Sequence, residues 1–417
     1  MDAPADVIVI GGGAAGMMAA LFAARSGARV TLLEKNEKLG KKVYITGKGR
    51  CNVTNACEDT EEFLREVPRN PRFLYSALGL LSPAGLLSLL GELGCDTKIE
   101  RGRRAFPVTD HASDVTRALE GGLRAAGVRI RLHAEVDHLL VESGAVRGAA
   151  LTSGETLPAP SVVVCTGGLS YPSTGSTGDG LAWARQTGHR VSPILPSLVG
   201  LMTKEAWPRE LQGLTLKNIC LTARSCGKII YCEQGEMLFT HFGVSGPLAL
   251  ECSAHLPEDG RADLALNLKP GLTGEQLDAR LRWEIAAAGK KQLATVMQSL
   301  LPQRFAALFP ALCGVDGRLS CGQVTAGMRA AIARALQGLP LTVTGTRPLA
   351  EAIITRGGVD VRDLRPGTLE SRVIPGLYFA GEALDVDAHT GGYNLQIAWS
   401  TGALAGKSAA ESALSEE

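Results

Sequence analysis

The chain has 417 residues, of which 45% are hydrophobic and 20% are charged. This length exceeds what one hydrophobic core usually organises, so we expect two or three domains, and the composition excludes a disordered chain. The formal net charge of +1 gives no electrostatic case for binding nucleic acid or an anionic membrane. Glycine is unusually frequent, at 50 residues, and its clustering in short segments predicts tight turns and close backbone approaches.

The cysteines and the N-terminal residues predict a cytoplasmic protein. No two of the ten cysteines have C-x-x-C spacing, so no metal site and no dithiol motif are expected. The opening residues MDAPADVIVIGGG lack the basic leader of a signal peptide. Cys51 is therefore expected to be a free thiol with a packing role. The uncharged stretch 73–91 contains Pro83 and several glycines, which favours two short core helices over a membrane span.

The first 34 residues predict a βαβ unit. The apolar run 7–10 is typical of a buried strand, a helical pattern follows from Ala14 to Ser26, and 29–34 reads as a second strand. Strand, glycine turn, helix and strand in about 30 residues form a βαβ unit, which predicts a parallel sheet.

The turn of this unit has the sequence GGGAAG and fits the G-x-G-x-x-G motif. Gly11 lets the chain turn off the strand, Gly13 lets a pyrophosphate approach the backbone, and Gly16 lets the helix pack on the strand. Glu34 ends the second strand, 23 residues after Gly11, where a carboxylate accepts both ribose hydroxyls of an adenosine. The motif predicts a dinucleotide site and by itself leaves FAD and NAD open.

Two later segments favour FAD. Residues 39–55, LGKKVYITGKGRCNVTN, combine glycines, amides and cations, including Lys41, and can wrap a pyrophosphate and reach the polar edge of a flavin. Residues 376–382, GLYFAGE, predict a strand ending in Glu382, whose carboxylate can take a ribityl hydroxyl. Residues 391–396, GGYNLQ, then open a helix whose N-terminus would stabilise negative charge on a reduced flavin. Gly167, after the apolar run 162–165, is also predicted to contact the cofactor.

With these motifs, the sequence resembles the bacterial flavoprotein family that includes aminoacetone-oxidase-type enzymes and the BaiN-like bile-acid reductases. The segments that carry the resemblance are GGGAAG, LGKKVYITGKGRCNVTN, CTGGLSYPSTGSTGDG, GEMLFTHFGVSGP and GLYFAGEALDVDAHTGGYNLQIAWSTG, and they span nearly the whole chain. The resemblance implies FAD contacts at Ala15, Glu34, Lys35, Thr46, Gly47, Asn52, Val136, Gly381, Glu382, Asn394 and Leu395.

The resemblance and the changes in sequence texture together predict an α/β protein of three parts. A discontinuous Rossmann-like FAD-binding domain is expected in residues 1–192 and 351–417, because flavin-type motifs occupy both ends of the chain. An inserted β-rich substrate domain is expected in 193–272 and 338–350, where strand-like alternation begins near Pro193. A small helical subdomain is expected in 273–337.

The motifs predict an FAD-dependent oxidoreductase with a small-molecule substrate and no obligate protein partner. No second G-x-G-x-x-G follows a strand, so NADH or NADPH would dock transiently as reductant. The first hypothesis is hydride transfer from flavin N5 to an enone-type, bile-acid or steroid-like substrate. The alternatives are an oxygen-using amine oxidase of the aminoacetone type and a non-enzymatic or RNA-directed flavoprotein. Catalytic residues stay open, with His241 and Tyr393 as weak candidates.

Overall fold

The computed structural model describes residues 4–415. The strands in this range are β1 (Val7–Ile10), β2 (Val30–Leu33), β3 (Thr54–Asn55), β4 (Thr97–Glu100), β5 (Arg104–Pro107), β6 (Arg129–Arg131), β7 (Val136–Glu142), β8 (Ala145–Leu151), β9 (Thr156–Pro158), β10 (Ser161–Val164), β11 (Leu195–Ser197), β12 (Leu201–Thr203), β13 (Thr215–Ser225), β14 (Lys228–Phe239), β15 (Gly243–Ser245), β16 (Ala262–Asn267), β17 (Leu339–Thr346), β18 (Ile354–Arg356) and β19 (Leu377–Phe379). The α-helices are α1 (Ala14–Arg25), α2 (Lys41–Ile45), α3 (Thr60–Arg65), α4 (Tyr75–Leu80), α5 (Pro83–Glu92), α6 (Ala112–Ala125), α7 (Asp179–Gln186), α8 (Trp207–Glu210), α9 (Pro247–Ala254), α10 (Gly274–Ala288), α11 (Leu293–Val296), α12 (Gln303–Leu312), α13 (Ala326–Gly338) and α14 (Tyr393–Ser415).

The chain divides into two compact units. Unit 1 comprises Met1–Ser197 and Pro348–Glu417, and unit 2 comprises Leu198–Arg347. These boundaries differ from the predicted ones: residues 193–197 and 348–350, which we had placed in the β-rich domain, belong to unit 1. The physical reason for the first shift is that β11 pairs antiparallel with β18, so residues 195–197 are part of a ladder within unit 1.

A parallel sheet forms the centre of unit 1, and the predicted α/β Rossmann-like fold class is confirmed. Its strand order is β19-β10-β1-β2-β6, and all four strand pairs are parallel. β1 and β10 are fully buried apolar strands, as expected where helices cover both faces of a parallel sheet. Because all five strands run the same way, their C-terminal ends lie along one edge.

Helices α1 and α14 pack closely against each other because small residues line their contact. A methyl group added at Gly402 would lie 2.1 Å from the Ala15 carbonyl oxygen, and one at Gly406 would lie 2.0 Å from the Ala19 carbonyl oxygen. Only glycine fits at these two positions of α14 without moving a helix backbone. This packing fixes the last helix of the chain to the helix that follows the first glycine turn.

The stretch 71–92 contains two α-helices, as predicted. α4 ends at Leu80, and α5 begins at Pro83 with Ser82 as its N-cap, whose hydroxyl accepts a hydrogen bond from Gly85 N at 3.2 Å. By length and composition this stretch could cross a membrane, and half of its most apolar window is buried inside the protein. The core residues Leu74, Leu86 and Leu90 belong to the hydrophobic cluster of unit 1.

Unit 2 contains a closed antiparallel barrel with helices inserted before its last strand. The barrel order is β12-β15-β14-β13-β16-β17. α10 to α13 lie between β16 and β17 in the chain, and their apolar residues join the barrel residues in a single hydrophobic core. The alternation along β13 buries Ile219, Leu221 and Ala223 and leaves Cys220 and Thr222, which lie between them, on the outer face.

Candidate functional site

A large cavity lies in unit 1 at the C-terminal ends of the parallel strands. The space inside it, counted together with its mouth and the open solvent there, is about 1280 Å³. Thirteen of the sixteen residues predicted to contact the cofactor line it: Gly11, Gly13, Ala15, Glu34, Lys35, Lys41, Thr46, Val136, Gly167, Gly381, Glu382, Asn394 and Leu395.

The remaining three predicted residues, Gly16, Gly47 and Asn52, lie outside the lining. A methyl group at Gly16 would lie 1.7 Å from the Gly11 carbonyl oxygen, so this glycine allows the helix to pack on the turn, as its place in the motif predicts. Gly47 has a φ of 57° and packs against the backbone of Asn52. The Oδ1 atom of Asn52 is buried and has no hydrogen-bond partner among the described residues.

The first glycine turn has the geometry of a phosphate site. Gly11 has a φ of 99°, which strongly favours glycine, and its backbone lies against Cys165 of the strand end next to it. Gly13 precedes α1, and no atom lies within 4 Å of the position that a methyl group would take there. The open space at Gly13 and the N-terminus of α1 leave room for an anion beside unpaired backbone N–H groups.

Glu34 lies at the end of the cavity next to β2. Its Oε2 accepts a hydrogen bond from Gly12 N at 2.7 Å, and its Oε1 accepts from Asn36 N at 2.8 Å and from Asn36 Nδ2 at 2.6 Å. The side chain is buried and lines the cavity. These three donors fix the carboxylate and leave about one of its four lone-pair sites free, which can accept a ribose hydroxyl.

The loop that precedes α7 is tied to the residues that follow Glu34. Lys35 Nζ donates to Thr177 Oγ1 at 2.6 Å and pairs with Asp179 at 2.7 Å. Asn36 Nδ2 also donates to the carbonyl oxygen of Thr174 at 3.1 Å. Loop residues 174–176 and Asp179 line the cavity, so these contacts close this end of the cavity with a loop of the same unit.

Glu382 lies on the other side of the cavity and is bound by charged and polar donors. Lys42 Nζ forms an ion pair with Glu382 Oε2 and donates to Ser170 Oγ at 2.5 Å. Glu382 Oε1 accepts from Ser170 Oγ at 2.5 Å and from Thr355 N at 2.9 Å. Burial acts to raise the pKa of Glu382, but the charge of Lys42 and these hydrogen bonds outweigh it, so the pKa is below its ordinary value.

The N-terminus of α14 reaches the cavity through its backbone. Asn394 and Leu395 line the cavity, but the Asn394 side chain turns back onto the preceding loop. Its Oδ1 accepts from Ala388 N at 2.9 Å, and its Nδ2 donates to the Ala388 carbonyl oxygen at 2.7 Å. The side chain therefore holds the loop in place, and the helix N-terminus presents free backbone N–H groups.

The weak catalytic candidates do not lie at this cavity. The Tyr393 ring packs edge-on against Phe63, with ring centroids 5.0 Å apart, and burial raises its pKa. His241 belongs to unit 2, where its ring contacts Phe242. Cys51 is fully buried, and burial raises its pKa to about 12, which favours the predicted packing role over redox chemistry.

Sequence reasoning missed four side chains of the site: Asn36, Lys42, Ser170 and Asp179. Lys42 and Ser170 lie inside segments that we had recognised, but their partner Glu382 is 340 residues from Lys42 in the chain. These four side chains could have been found by looking for polar residues that follow the ends of the predicted parallel strands, since ligands bind at that edge of such a sheet.

The donor and acceptor groups of the cavity fit FAD. Glu34 suits an adenosine ribose, the turn at Gly11–Gly13 suits a pyrophosphate, and the N-terminus of α14 suits the polar edge of an isoalloxazine ring. The buried, unpartnered Oδ1 of Asn52 is a further polar atom within residues 39–55, the segment predicted to reach the flavin. The residue-by-residue contacts remain predictions.

Residues 5–408 match the family described as "HI0933-like protein Rossmann domain". The chain belongs to this family. The matched range includes the parallel sheet and the glycine turn of unit 1 and all of unit 2. The family agrees with the resemblance seen in the motifs. The protein is an FAD-dependent oxidoreductase of the Rossmann type.

Three similar proteins that match over nearly their whole length have names of two kinds. The chain is 32% identical over 411 residues to a 3-dehydro-bile acid delta(4,6)-reductase of Clostridium scindens, covering 97% of this chain and 98% of that protein. It is 30% identical over 409 residues to a ribosomal RNA dihydrouridine synthase of Haemophilus influenzae, covering 96% of this chain and 97% of that protein. The corresponding protein of Escherichia coli is 31% identical, with 95% and 96% covered.

Solved structures show the same fold at low identity. A quinol-fumarate reductase chain of Escherichia coli has a TM-score of 0.54 at 18% identity, covering all of this chain and 71% of that chain. A 3-ketosteroid-delta4-(5alpha)-dehydrogenase of Rhodococcus jostii has a TM-score of 0.50 at 17% identity, with 98% and 97% covered.

Proposed function

We propose that the protein reduces a carbon–carbon double bond conjugated to a carbonyl group in a bile-acid-like or steroid-like small molecule, with NADH or NADPH as transient reductant. The observation that carries the proposal is the FAD-compatible cavity in a chain that is 32% identical, over 97% of its length, to a 3-dehydro-bile acid delta(4,6)-reductase. When bound, FAD would supply hydride transfer at its N5 atom.

The chain's own residues would bind and orient the cofactor. Glu34 would hold the adenosine end through its fixed carboxylate, and the open turn at Gly13 would leave room for the pyrophosphate. The Lys42–Glu382 pair would place a cation against the middle of the cavity. No residue is assigned as the proton donor to the substrate.

The conjugated acceptor is favoured because it is common to both groups of relatives. The name of the Clostridium scindens protein describes reduction of double bonds in a 3-oxo bile acid. A dihydrouridine synthase makes a product in which the C5=C6 bond of uridine, conjugated to the C4 carbonyl, has been reduced. The same hydride chemistry serves both acceptors, which differ in size and charge.

Ribosomal RNA is therefore the second candidate substrate. It is favoured by the two dihydrouridine synthases and by the charge of unit 2, in which 16 basic residues exceed 12 acidic ones. If RNA is the substrate, its binding through phosphate contacts should weaken steeply as the salt concentration rises. The near-neutral net charge of the whole chain weighs toward the small molecule.

The amine-oxidase alternative differs in the compound that reduces the flavin, which would be an amine and not NADH or NADPH. We also propose a cytoplasmic location, because all ten cysteines are free thiols. No obligate protein partner is part of the proposal.

The test has two anaerobic stopped-flow steps. First, NADH, NADPH and aminoacetone are mixed with the oxidised protein, and we expect rapid bleaching by a nicotinamide and none by the amine. Second, the reduced protein is mixed with a 3-oxo-4,6-diene bile acid, with its saturated 3-oxo analogue as control, or with ribosomal RNA. We expect reoxidation by the dienone alone. Reoxidation by RNA with a mass gain at uridine would favour the second candidate, and reduction by the amine alone would contradict both.

A further inference from the structure

Two cysteines meet on the outer face of the barrel in unit 2. Cys220 on β13 and Cys232 on β14 have their Sγ atoms 3.9 Å apart. In the register of this antiparallel pair, Cys220 is opposite Gln234 and Thr222 is opposite Cys232. The two cysteines are therefore diagonal neighbours on one face of the ladder. Leu221, which lies between Cys220 and Thr222 on β13, is buried in the core. The 12-residue spacing hid this pair from the search for C-x-x-C motifs.

The pair is chemically accessible, in contrast with most other cysteines of the chain. Cys232 is exposed and Cys220 is half-buried. Cys51 and Cys252 are buried, and burial raises the pKa of each thiol to about 12, which makes them poor nucleophiles. Burial also raises the pKa of Cys220, so the exposed Cys232 is the thiol placed to react first with an oxidant. The hydroxyl of Thr222 lies 3.4 Å from Cys232 Sγ, where it can donate a hydrogen bond to a thiolate.

We propose that Cys220 and Cys232 form a reversible redox site that is oxidised to an intramolecular disulfide by a hydroperoxide. The Cys232 thiolate attacks the outer oxygen of ROOH, the O–O bond breaks, and Cys232 becomes a sulfenic acid as ROH leaves. Cys220 then attacks the Cys232 sulfur, the S–O bond breaks, and water leaves with a thiol proton. Two thiols thus lose two electrons and two protons, and ROOH is reduced to ROH and water.

The geometry supports the second step because the sulfur atoms need to approach from 3.9 Å to about 2.05 Å. Both residues belong to one hairpin, and because diagonal neighbours lie farther apart than directly opposed ones, closure requires side-chain rotation together with a local movement of the two strands toward each other. Fast capture by Cys220 would also prevent the irreversible oxidation of Cys232 to a sulfinic acid. This site is independent of the proposed reaction at the FAD cavity.

The test treats the purified flavin-loaded protein with hydrogen peroxide and maps its cysteines by mass spectrometry. Trypsin separates the relevant thiols, since Cys220 lies in peptide 218–224, Cys226 in 225–228 and Cys232 in 229–261. Cleavage after Glu233 then separates Cys232 from Cys252. We expect a cross-link between the Cys220 and Cys232 peptides, a loss of two of the ten free thiols, and full recovery with dithiothreitol.

Variants give the control. In Cys220→Ser, Cys232 should be trapped as a sulfenic acid that dimedone labels, and no disulfide should form. In Cys226→Ser, which removes the exposed cysteine at the hairpin turn, the cross-link should form as in the wild type. A cross-link to the Cys226 peptide, unchanged thiol loss in Cys220→Ser, or retention of all thiols in the peroxide-treated wild type would overturn the proposal. The wild-type peptide map decides the question even where a variant fails to fold.

Discussion

Two glutamates line the same cavity but are held in different ways. Glu34 follows β2, and the groups that reach its carboxylate are the amides of Gly12 and Asn36. Glu382 follows β19, and its carboxylate is bound by the ammonium group of Lys42 together with Ser170 and Thr355. The same residue type at the ends of two parallel strands therefore has two environments.

The difference indicates two roles. Amide donors orient Glu34 without neutralising it, so its charge is available to ligand hydroxyls. Each carboxylate accepts from three groups of the protein, but only Glu382 is paired with a cation, which neutralises its charge. We therefore expect Glu34 to act mainly on cofactor affinity and Glu382 to act mainly through the position of Lys42.

The largest expected effect comes from Lys42→Met, which leaves Glu382 buried without its counter-charge. Breaking one side of a buried ion pair costs about 3 kcal/mol of unfolding free energy. Urea unfolding at a fixed FAD concentration measures it. Lys407→Met is the control, because Lys407 is not among the cavity-lining residues and pairs with the exposed Glu411, and its unfolding midpoint should stay at the wild-type position.

The double variant Lys42→Met with Glu382→Leu sharpens this test. Replacing both partners of a buried pair by apolar groups is often neutral, so more than half of the lost stability should return. A double variant less stable than Lys42→Met alone would show that the ion pair is not the source of the effect.

Glu34→Gln should weaken FAD binding by about 1–3 kcal/mol, because a neutral acceptor replaces a charge-assisted one. The new amide group also faces the Gly12 N–H, which needs an acceptor. Dilution of the holoprotein with fluorescence detection of free FAD measures the change. Glu37→Gln, on the same loop but exposed, is the control, and equal FAD affinity in both variants would place Glu34 outside the cofactor site.

A smaller effect is expected for Lys35→Met, which removes the tie between the strand β2 end and the loop before α7. The ion pair with Asp179 is partly exposed, so we expect about 1 kcal/mol, or FAD release about fivefold faster. Stopped-flow measurement of FAD release tests this, with Lys38→Met as control. Unchanged release would show that the loop does not limit FAD exit.

The smallest effect concerns pH. The pKa of Glu382 is lowered in the folded protein, so its contribution to stability is present above the unfolded pKa of about 4.3 and is lost as pH falls through the folded value. The difference in unfolding free energy between wild type and Glu382→Gln should therefore be constant from pH 7 to about pH 5 and shrink below about pH 4. Urea titrations across this range measure it, and a difference that grows on acidification would contradict the assigned direction.

Local motifs made much of unit 1 predictable. Gly11, Gly16 and Glu34 lie within one βαβ unit, so their roles follow from short-range geometry, and the parallel sheet follows from the same unit. The pair Lys42–Glu382 was not predictable, because it joins residues 340 positions apart, and a sequence does not state which donors reach which carboxylate. The contact of Cys220 with Cys232 likewise depends on strand register.

In unit 2, too, local sequence patterns predict the strands and helices but not how the strands pair. The strand-like alternation before residue 268 and the helical pattern of 273–337 correspond to β13–β16 and α10–α13. The closure of six strands into a barrel and the pairing of β11 with β18 depend on tertiary hydrogen bonds that leave no local sequence signal. The shifted limits at Ser197 and Pro348 have this cause.

The central claim is that the cavity of unit 1 binds FAD, and the most direct measurement is the identity of the flavin in the purified protein. Heat denaturation followed by chromatography of the supernatant should release FAD in near-stoichiometric amount, because Glu34 is placed for an adenosine ribose that FMN does not have. Release of FMN alone, or a colourless protein that does not take up added FAD, would contradict the account.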